Sequence, residues 1–248
     1  IGTGATAVQC IPALGASSEQ LYVFQRTPSS IDVRNNSETD PLWKDSLEPG
    51  WQKARRENFN VLVSGGDQDV DLVGDGWTEI MRELTGIAAK TASKKLGRRL
   101  TKAERGQLME LADYKKMNQV RARAEQIVND PETAEALKPY YGQFCKRPCF
   151  HDEYLDTYNL PNVKLVDTHG QGVERITEKG VVVDGVEYEC GCLVFGTEFE
   201  IGNSYTRCAR YDIRGIDSTL SEYWSNGLRT MHDTQTHGFP NCFFLGFT

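Results

Sequence analysis

The feature that most constrains this chain is a glycine-rich turn of the form Gly-x-Gly-x-x-Ala, which occupies residues 2–7. Gly2 permits a tight turn, Gly4 lets the backbone come close to a pyrophosphate, and Ala7 lets a following helix pack closely with its N–H groups toward the phosphates. Such a turn works only when a buried strand leads into it. Almost nothing precedes it here, so we expect a fragment of a larger α/β protein, truncated at both ends.

The residues after the turn supply the rest of a strand–helix–strand pattern. A helix is predicted from Ala5 to Leu14, ended by Gly15, and the apolar run Leu21–Phe24 reads as the next strand. This context favours a dinucleotide-binding turn over a glycine-rich turn of another kind of α/β protein.

The end of the second strand indicates which dinucleotide is bound. NAD-binding domains place an acid about 20 residues after the glycines, to accept hydrogen bonds from the ribose hydroxyls. This chain has Gln25-Arg26-Thr27 instead. A guanidinium can bind a 2′-phosphate with two parallel hydrogen bonds, so Arg26 favours NADP over NAD. The alternative is that Arg26 is an ordinary solvated arginine.

Composition limits the classes of partner. The net charge is −7, so nucleic acid and acidic membrane surfaces are not expected partners, and no apolar run of about 18 residues predicts a membrane-spanning helix. Seven cysteines lack the paired spacing of a disulfide scaffold, which favours reduced thiols and a cytoplasmic enzyme. A metal site at Cys145, Cys149 and His151, extended by Cys190 and Cys192, is the less favoured alternative, and no metal is expected.

Periodicity divides the chain into four parts. Strand-like runs lie at 163–166, 180–183 and 192–195, with Asp184-Gly185 as a hairpin turn. Helical spacing covers 78–96, 101–128 and 131–141, and Thr101 with Glu104 forms a capping box. We predict a Rossmann-like nucleotide domain in two parts, 1–40 and 143–200. A helical insertion, 41–142, interrupts it, and a return segment toward the rest of the protein follows at 201–248.

Two adjacent cations, Lys146 and Arg147, precede Pro148. Proline disfavours helix at the residue before it, so we expect an extended loop here. Neighbouring side chains of an extended segment point to opposite sides, so the two cations can serve two different sites. The alternative is that both are ordinary surface residues.

Together these motifs resemble the NADPH-binding part of Baeyer–Villiger monooxygenases. The resemblance rests on the glycine-rich turn and on four further segments: 24–28, 146–148, 162–167 and 194–197. It implies a flavoprotein with two dinucleotide-binding domains, one for FAD and one for NADPH. It also implies that a flavin peroxide inserts oxygen beside a ketone carbonyl to give an ester or lactone, with the ketone and molecular oxygen as substrates.

The resemblance also assigns residues to roles. Arg26, Thr27 and Lys146 are assigned to the 2′-phosphate of NADPH, and Arg147 to the active-site arginine, whose fixed charge stabilises the anionic oxygen species. The other residues assigned to cofactor binding are Gly2, Thr3, Gly4, Ala5, Thr6, Ala7 and Thr197.

The chain departs from the family pattern in two ways. The FAD-binding Gly-x-Gly-x-x-Gly and the family fingerprint should precede residue 1, so the FAD site is expected to lie mostly outside these residues and the fragment alone to be inactive. Glu198 stands where glycine is usual, and a carboxylate there can weaken cofactor binding. The alternatives are an N- or S-oxygenating flavin monooxygenase and a non-catalytic NADP-binding remnant. The ketone and the oligomeric state stay open.

Overall fold

The computed structural model describes residues 1–66, 68–84, 88–197 and 203–245. The chain divides into two units, Ile1–Glu198 and Phe199–Thr248. The described residues mix helix and sheet, which agrees with the α/β class in its coarse form. Glu198, which the sequence analysis singled out, lies outside the described residues.

The first unit begins with the predicted helix and strand. Helix α1 spans Ala5–Ser17 and strand β1 spans Leu21–Gln25. Strand β1 pairs in parallel with β4, Val163–Asp167, so that Gln25 lies opposite Asp167. The carboxyl ends of these two strands therefore meet at the same edge as the glycine-rich turn.

The prediction that α1 ends at Leu14 is wrong, because the helix continues through Gly15 for three more residues. Gly15 is a site of close packing and not a helix stop. A Cβ at Gly15 would lie 2.8 Å from Cγ2 of Thr157, so glycine is needed there for close approach.

The region between β1 and β4 is rich in helices. The bounds of its helices are α2 Pro41–Asp45, α3 Trp51–Val63, α4 Gly76–Arg82, α5 Ala88–Leu96, α6 Lys102–Ile127 and α7 Pro131–Ala136. The Thr101 capping box is confirmed, because the Thr101 hydroxyl accepts from the Glu104 N–H while the Glu104 carboxylate accepts from the Thr101 N–H. The predicted helix over 131–141 is too long: Pro139 disfavours helix at Lys138.

Two short parallel strands, β2 (Ile31–Asp32) and β3 (Cys149–Phe150), lie on either side of this helical region in sequence. Single turns of 3₁₀ helix span Gln143–Cys145 and Asp156–Asn159.

An antiparallel sheet completes the first unit, with strands β5 Arg175–Ile176, β6 Gly180–Val183 and β7 Val186–Glu189. The predicted hairpin turn is confirmed: Asp184 and Gly185 both have positive φ, at 48° and 73°. The strand predicted over 192–195 does not form. Residues 194–196 instead make two hydrogen bonds to Ile1: the ammonium group of Ile1 donates to the Val194 carbonyl, and Gly196 N–H donates to the Ile1 carbonyl.

The main core joins the start of the chain to the helical region. Val8 and Ile11 of α1 and Val23 of β1 are buried in one cluster with Ala124 of α6 and Ala134 of α7. Burial of this apolar surface holds the last two helices of the region against the helix that follows the glycine-rich turn.

The second unit has its own small core of Leu220, Phe239 and Phe244. Its described residues include two short helices, α8 (Tyr205–Ala209) and α9 (Leu220–Tyr223). Among the described residues of both units, no helix combines the length and apolar character needed to cross a membrane.

Candidate functional site

A cavity of about 490 Å³ lies where the glycine-rich turn meets the ends of β1 and β4. Its volume is in the range of small-molecule and cofactor sites. Nine of the predicted site residues line it: Gly2, Thr3, Gly4, Ala5, Arg26, Thr27, Lys146, Arg147 and Thr197. We call this the phosphate-side cavity. Lys146 and Arg147, which were expected to be able to serve two different sites, both line this one cavity.

Thr6 and Ala7 do not line the phosphate-side cavity. They line a more apolar cavity of about 510 Å³, together with Tyr22, Phe24 and Val194. Ala7 has the packing role expected of it, since a Cβ at Gly196 would lie 2.8 Å from the Ala7 Cβ.

The glycine-rich turn has the geometry that its sequence requires. Gly2 has φ +103°, a conformation that side chains rarely adopt, and its N–H donates to the Phe24 carbonyl at 3.0 Å. Gly4 immediately precedes α1, and among the described residues no side chain caps that end of the helix. The first-turn N–H groups have no partner within the helix and carry partial positive charge, so this helix end suits an anion.

Three side-chain hydroxyls fix the loop that follows β1. Thr3 Oγ1 donates to the Thr27 carbonyl at 3.0 Å, and Tyr141 OH donates to the Pro28 carbonyl at 2.9 Å. Ser29 Oγ in turn donates to the Thr3 carbonyl. The glycine-rich turn and the loop that carries Arg26 are therefore held to each other.

Three cations, Arg26, Lys146 and Arg147, line the phosphate-side cavity. In the described part of the chain, no carboxylate lies within 4.0 Å of any of them. Partial burial, and then the positive charge of Arg26, lower the pKa of Lys146. The cavity is thus positively charged, and an anionic ligand would relieve the repulsion between its cations.

The loop with Lys146 and Arg147 leads into β3, which pairs with β2, and a helix of the helical region holds β2. Cys149 N–H donates to the Ser30 carbonyl at 2.9 Å. Lys116 of α6 is buried and pairs with Asp32 of β2 at 2.6 Å. Burial alone would lower the pKa of Lys116, but hydrogen bonds and ion pairs with Asp32 and Glu79 outweigh it and raise the pKa.

Sequence reasoning missed several residues at this site. Ser29, Thr168, Gly172 and Val173 also line the phosphate-side cavity. Thr168 follows β4, and its hydroxyl donates to the Gln25 carbonyl at 2.9 Å. The rule that ligands bind at the carboxyl ends of parallel strands would have pointed to it.

The cysteines form no metal site in the part of the chain that the structure describes, where no group of three His, Cys, Asp or Glu side chains is placed to hold a metal. His151 has a structural role, because its Nδ1 accepts from the N–H groups of Glu153 and Tyr154.

No family model matches the chain, but comparisons with known proteins find several similar to it over nearly its whole length. The neopentalenolactone D synthase of Streptomyces avermitilis is 56% identical over 248 residues, which cover 99% of this chain and 41% of that protein. Baeyer–Villiger monooxygenase 4 of Dietzia sp. is 45% identical over 249 residues, which cover 100% of this chain and 40% of that protein. The chain therefore spans about 40% of the length of the curated relatives it matches.

Solved structures agree. The polycyclic ketone monooxygenase from the thermophilic fungus Thermothelomyces thermophila matches 98% of this chain and 40% of its own, with 38% identity and a TM-score of 0.79. A structure of OTEMO in complex with FAD and NADP matches 99% of this chain and 46% of its own, with 27% identity and a TM-score of 0.66. The resemblance seen in the motifs thus extends over almost the whole of this chain.

Proposed function

We infer that this chain is part of a Baeyer–Villiger monooxygenase, and we propose that it forms the NADPH-binding part of that enzyme. The proposal takes 1–40 and 143–200 as two parts of one Rossmann-like domain, 41–142 as its helical insertion, and 201–248 as the segment that returns toward the FAD-binding domain. The order α1, β1, helices, β4 and the parallel pairing of β1 with β4 support this division.

The observation that carries the proposal is the convergence of Arg26, Lys146 and Arg147 on one cavity beside an uncapped helix end. Each cation lacks a carboxylate partner among the described residues, so the cavity is arranged for a ligand with more than one negative group. NADPH has such groups in its pyrophosphate and 2′-phosphate. Arg26 and Lys146 suit the 2′-phosphate, because a guanidinium and an ammonium both form charge-assisted hydrogen bonds to phosphate oxygens.

The glycine-rich turn fits the pyrophosphate. Gly2 and Gly4 leave the backbone accessible to close approach, and Gly4 and Ala5, at the start of α1, line the same cavity. We propose that Gly2, Thr3, Gly4, Ala5 and Thr197 contact the dinucleotide directly. We assign Ala7 to packing against Gly196. We propose that Thr6 contacts the dinucleotide only at the margin of the turn.

Arg147 is proposed as the catalytic residue of the chain. A guanidinium keeps its charge when water is excluded, so it can stabilise negative charge that develops on a ketone oxygen. FAD, held mostly outside these residues, supplies the oxygen chemistry when it is bound. The products expected from a ketone and molecular oxygen are an ester or a lactone. We place the enzyme in the cytoplasm, which suits the free thiols of Cys10, Cys145, Cys190, Cys192 and Cys242.

The test uses the whole protein encoded by the reading frame that contains this chain. The protein is purified with FAD and supplied with NADPH. We expect NADPH oxidation that depends on a ketone and yields an ester, and we expect Arg147→Ala and Arg147→Lys both to lose ester formation while NADPH still binds. Oxidation of amines or sulfides without ester formation would replace the proposal with N- or S-oxygenation. NADPH binding with no oxygenation of any substrate would leave a nucleotide-binding remnant.

A further inference from the structure

The side chain of Tyr141 connects the two cationic segments of the phosphate-side cavity. Its hydroxyl donates to the Pro28 carbonyl at 2.9 Å, in the loop that carries Arg26. Its ring lies under the other segment, with the Lys146 Nζ 5.4 Å from the ring centroid. Tyr141 is half-buried and lies at the end of the helical region, outside the cavity lining itself.

The contact with Lys146 matters because the Lys146 ammonium has no ion-pair partner among the described residues. No described carboxylate lies within 4.0 Å of Lys146, and the positive charge of Arg26 repels its ammonium. A lysine side chain with four rotatable bonds loses rotamer freedom when a ligand fixes it. An aromatic face attracts an ammonium and limits the positions that it samples before the ligand arrives.

We propose that Tyr141 is a positioning residue for the 2′-phosphate, acting through Lys146, and that it thereby contributes to the preference for NADPH over NADH. This inference rests on the proposed NADPH site. The hydroxyl has a separate role in holding Pro28, and Thr3 supports the same loop through Thr27. The two roles of Tyr141 can therefore be separated by substitution.

The experiment measures the Kd of NADPH and of NADH for the chain and for four variants. Tyr141→Leu removes the aromatic face, and Tyr141→Phe keeps the face and removes only the hydroxyl. Lys146→Met removes the ammonium, and the double variant Tyr141→Leu/Lys146→Met tests whether the two residues act together. Circular dichroism confirms that each variant is folded.

We expect Tyr141→Leu to weaken NADPH binding about three- to tenfold with little change for NADH, a range that matches one cation–π contact. Tyr141→Phe should keep the wild-type ratio of the two Kd values. In the Lys146→Met background, Tyr141→Leu should have no further effect on that ratio. If Tyr141→Leu does not fold, a variant with fluorinated phenylalanine at position 141 is compared with Tyr141→Phe. Fluorination keeps the shape of the ring but weakens the attraction of its face for the ammonium, so the preference for NADPH over NADH should fall in the same way.

Three results would overturn the inference. The first is an equal loss of NADPH and NADH affinity in Tyr141→Leu, which indicates a purely structural role. The second is an additive effect in the double variant, and the third is an unchanged ratio in Tyr141→Leu when Lys146→Met does lower it. If the wild-type chain shows no preference for NADPH, or if Lys146→Met leaves the preference intact, the proposed NADPH site fails together with the inference.

Discussion

Gly2 lies directly against the backbone of Gly196, so closely that a Cβ at Gly2 would be 2.7 Å from the Gly196 carbonyl oxygen. A Cβ at Gly196 would in turn lie 2.8 Å from the Ala7 Cβ. The turn, the first helix and the chain near Thr197 are therefore packed too closely for larger residues. The motif needs small residues for two physical reasons. Gly2 has a positive φ, and both Gly2 and Ala7 lie very close to Gly196.

Gly2→Ala should destabilise the fold more than a matched substitution at another glycine with positive φ. Positive φ costs alanine about 1–2 kcal/mol, and the clash with Gly196 adds about 1–3 kcal/mol. Gly170 is the control, since it has φ +85° and no heavy atom within 4 Å of its Cβ position. Urea unfolding measures both variants. Equal losses of stability would show that the contact with Gly196 contributes nothing.

The affinity for NADPH should depend on pH through Lys146. Its pKa lies below the usual 10.5, first because of partial burial and then because of Arg26. A phosphate binds the protonated ammonium more tightly, so NADPH affinity should be highest below that pKa and should fall as the pH rises through it. Lys146→Arg should flatten the dependence because arginine stays charged. NADH is the control ligand, and a wild-type profile that matches that of NADH would contradict the prediction.

Lys116→Met should strongly destabilise the chain. The Lys116 side chain is only 6% exposed and Asp32 only 15%, so removing the ammonium leaves a nearly buried carboxylate without its cation. Breaking such a pair costs about 3–5 kcal/mol. The double variant Lys116→Met/Asp32→Leu should recover most of the loss, as measured by urea unfolding. A double variant no more stable than Lys116→Met would show that the ion pair is not the cause.

Stability at acid pH should depend in part on Glu104. The hydrogen bond from Arg98, then those from Thr101, lower the pKa of Glu104 to about 2 from 4.5. A lowered pKa in the folded state stabilises the fold above the unfolded value, and that contribution is lost as the pH falls from about 4.5 toward 2. Glu104→Gln should therefore show a smaller drop in urea midpoint than wild type between these pH values. An identical drop would contradict this assignment.

Local chemistry accounts for the parts of the fold that were predicted correctly. The glycine-rich turn, β1, the Asp184-Gly185 hairpin and the Thr101 capping box all depend on residues close together in sequence. The end of α1 was missed because Gly15 serves a contact with Thr157, which is 142 residues away. A helix-ending glycine and a close-packing glycine look the same in sequence.

The sequence analysis identified residues that line the cavity only where their position along a motif singles them out. Arg26 is placed by its distance from the glycines, and Lys146 and Arg147 by the proline that follows them. Thr168 follows a predicted strand, but its place at the cavity depends on the parallel pairing of β1 with β4. Tyr141 has no local signal, because its contacts with Pro28 and Lys146 depend on how the helical region packs. The Asp152 carboxylate also makes contacts that depend on distant residues, since it accepts from the N–H groups of Arg34, Asn35 and Asn36.

The most direct test of the central claim is isothermal titration of this chain with NADPH and with NADH, repeated for Arg26→Ala. A charge-assisted contact to the 2′-phosphate contributes about 1.5–3 kcal/mol, so wild type should bind NADPH at least about tenfold more tightly than NADH. Arg26→Ala should remove most of that difference while NADH affinity changes little. Equal affinities in wild type, or a preference that is undiminished in Arg26→Ala, would contradict the assignment of this cavity to NADPH.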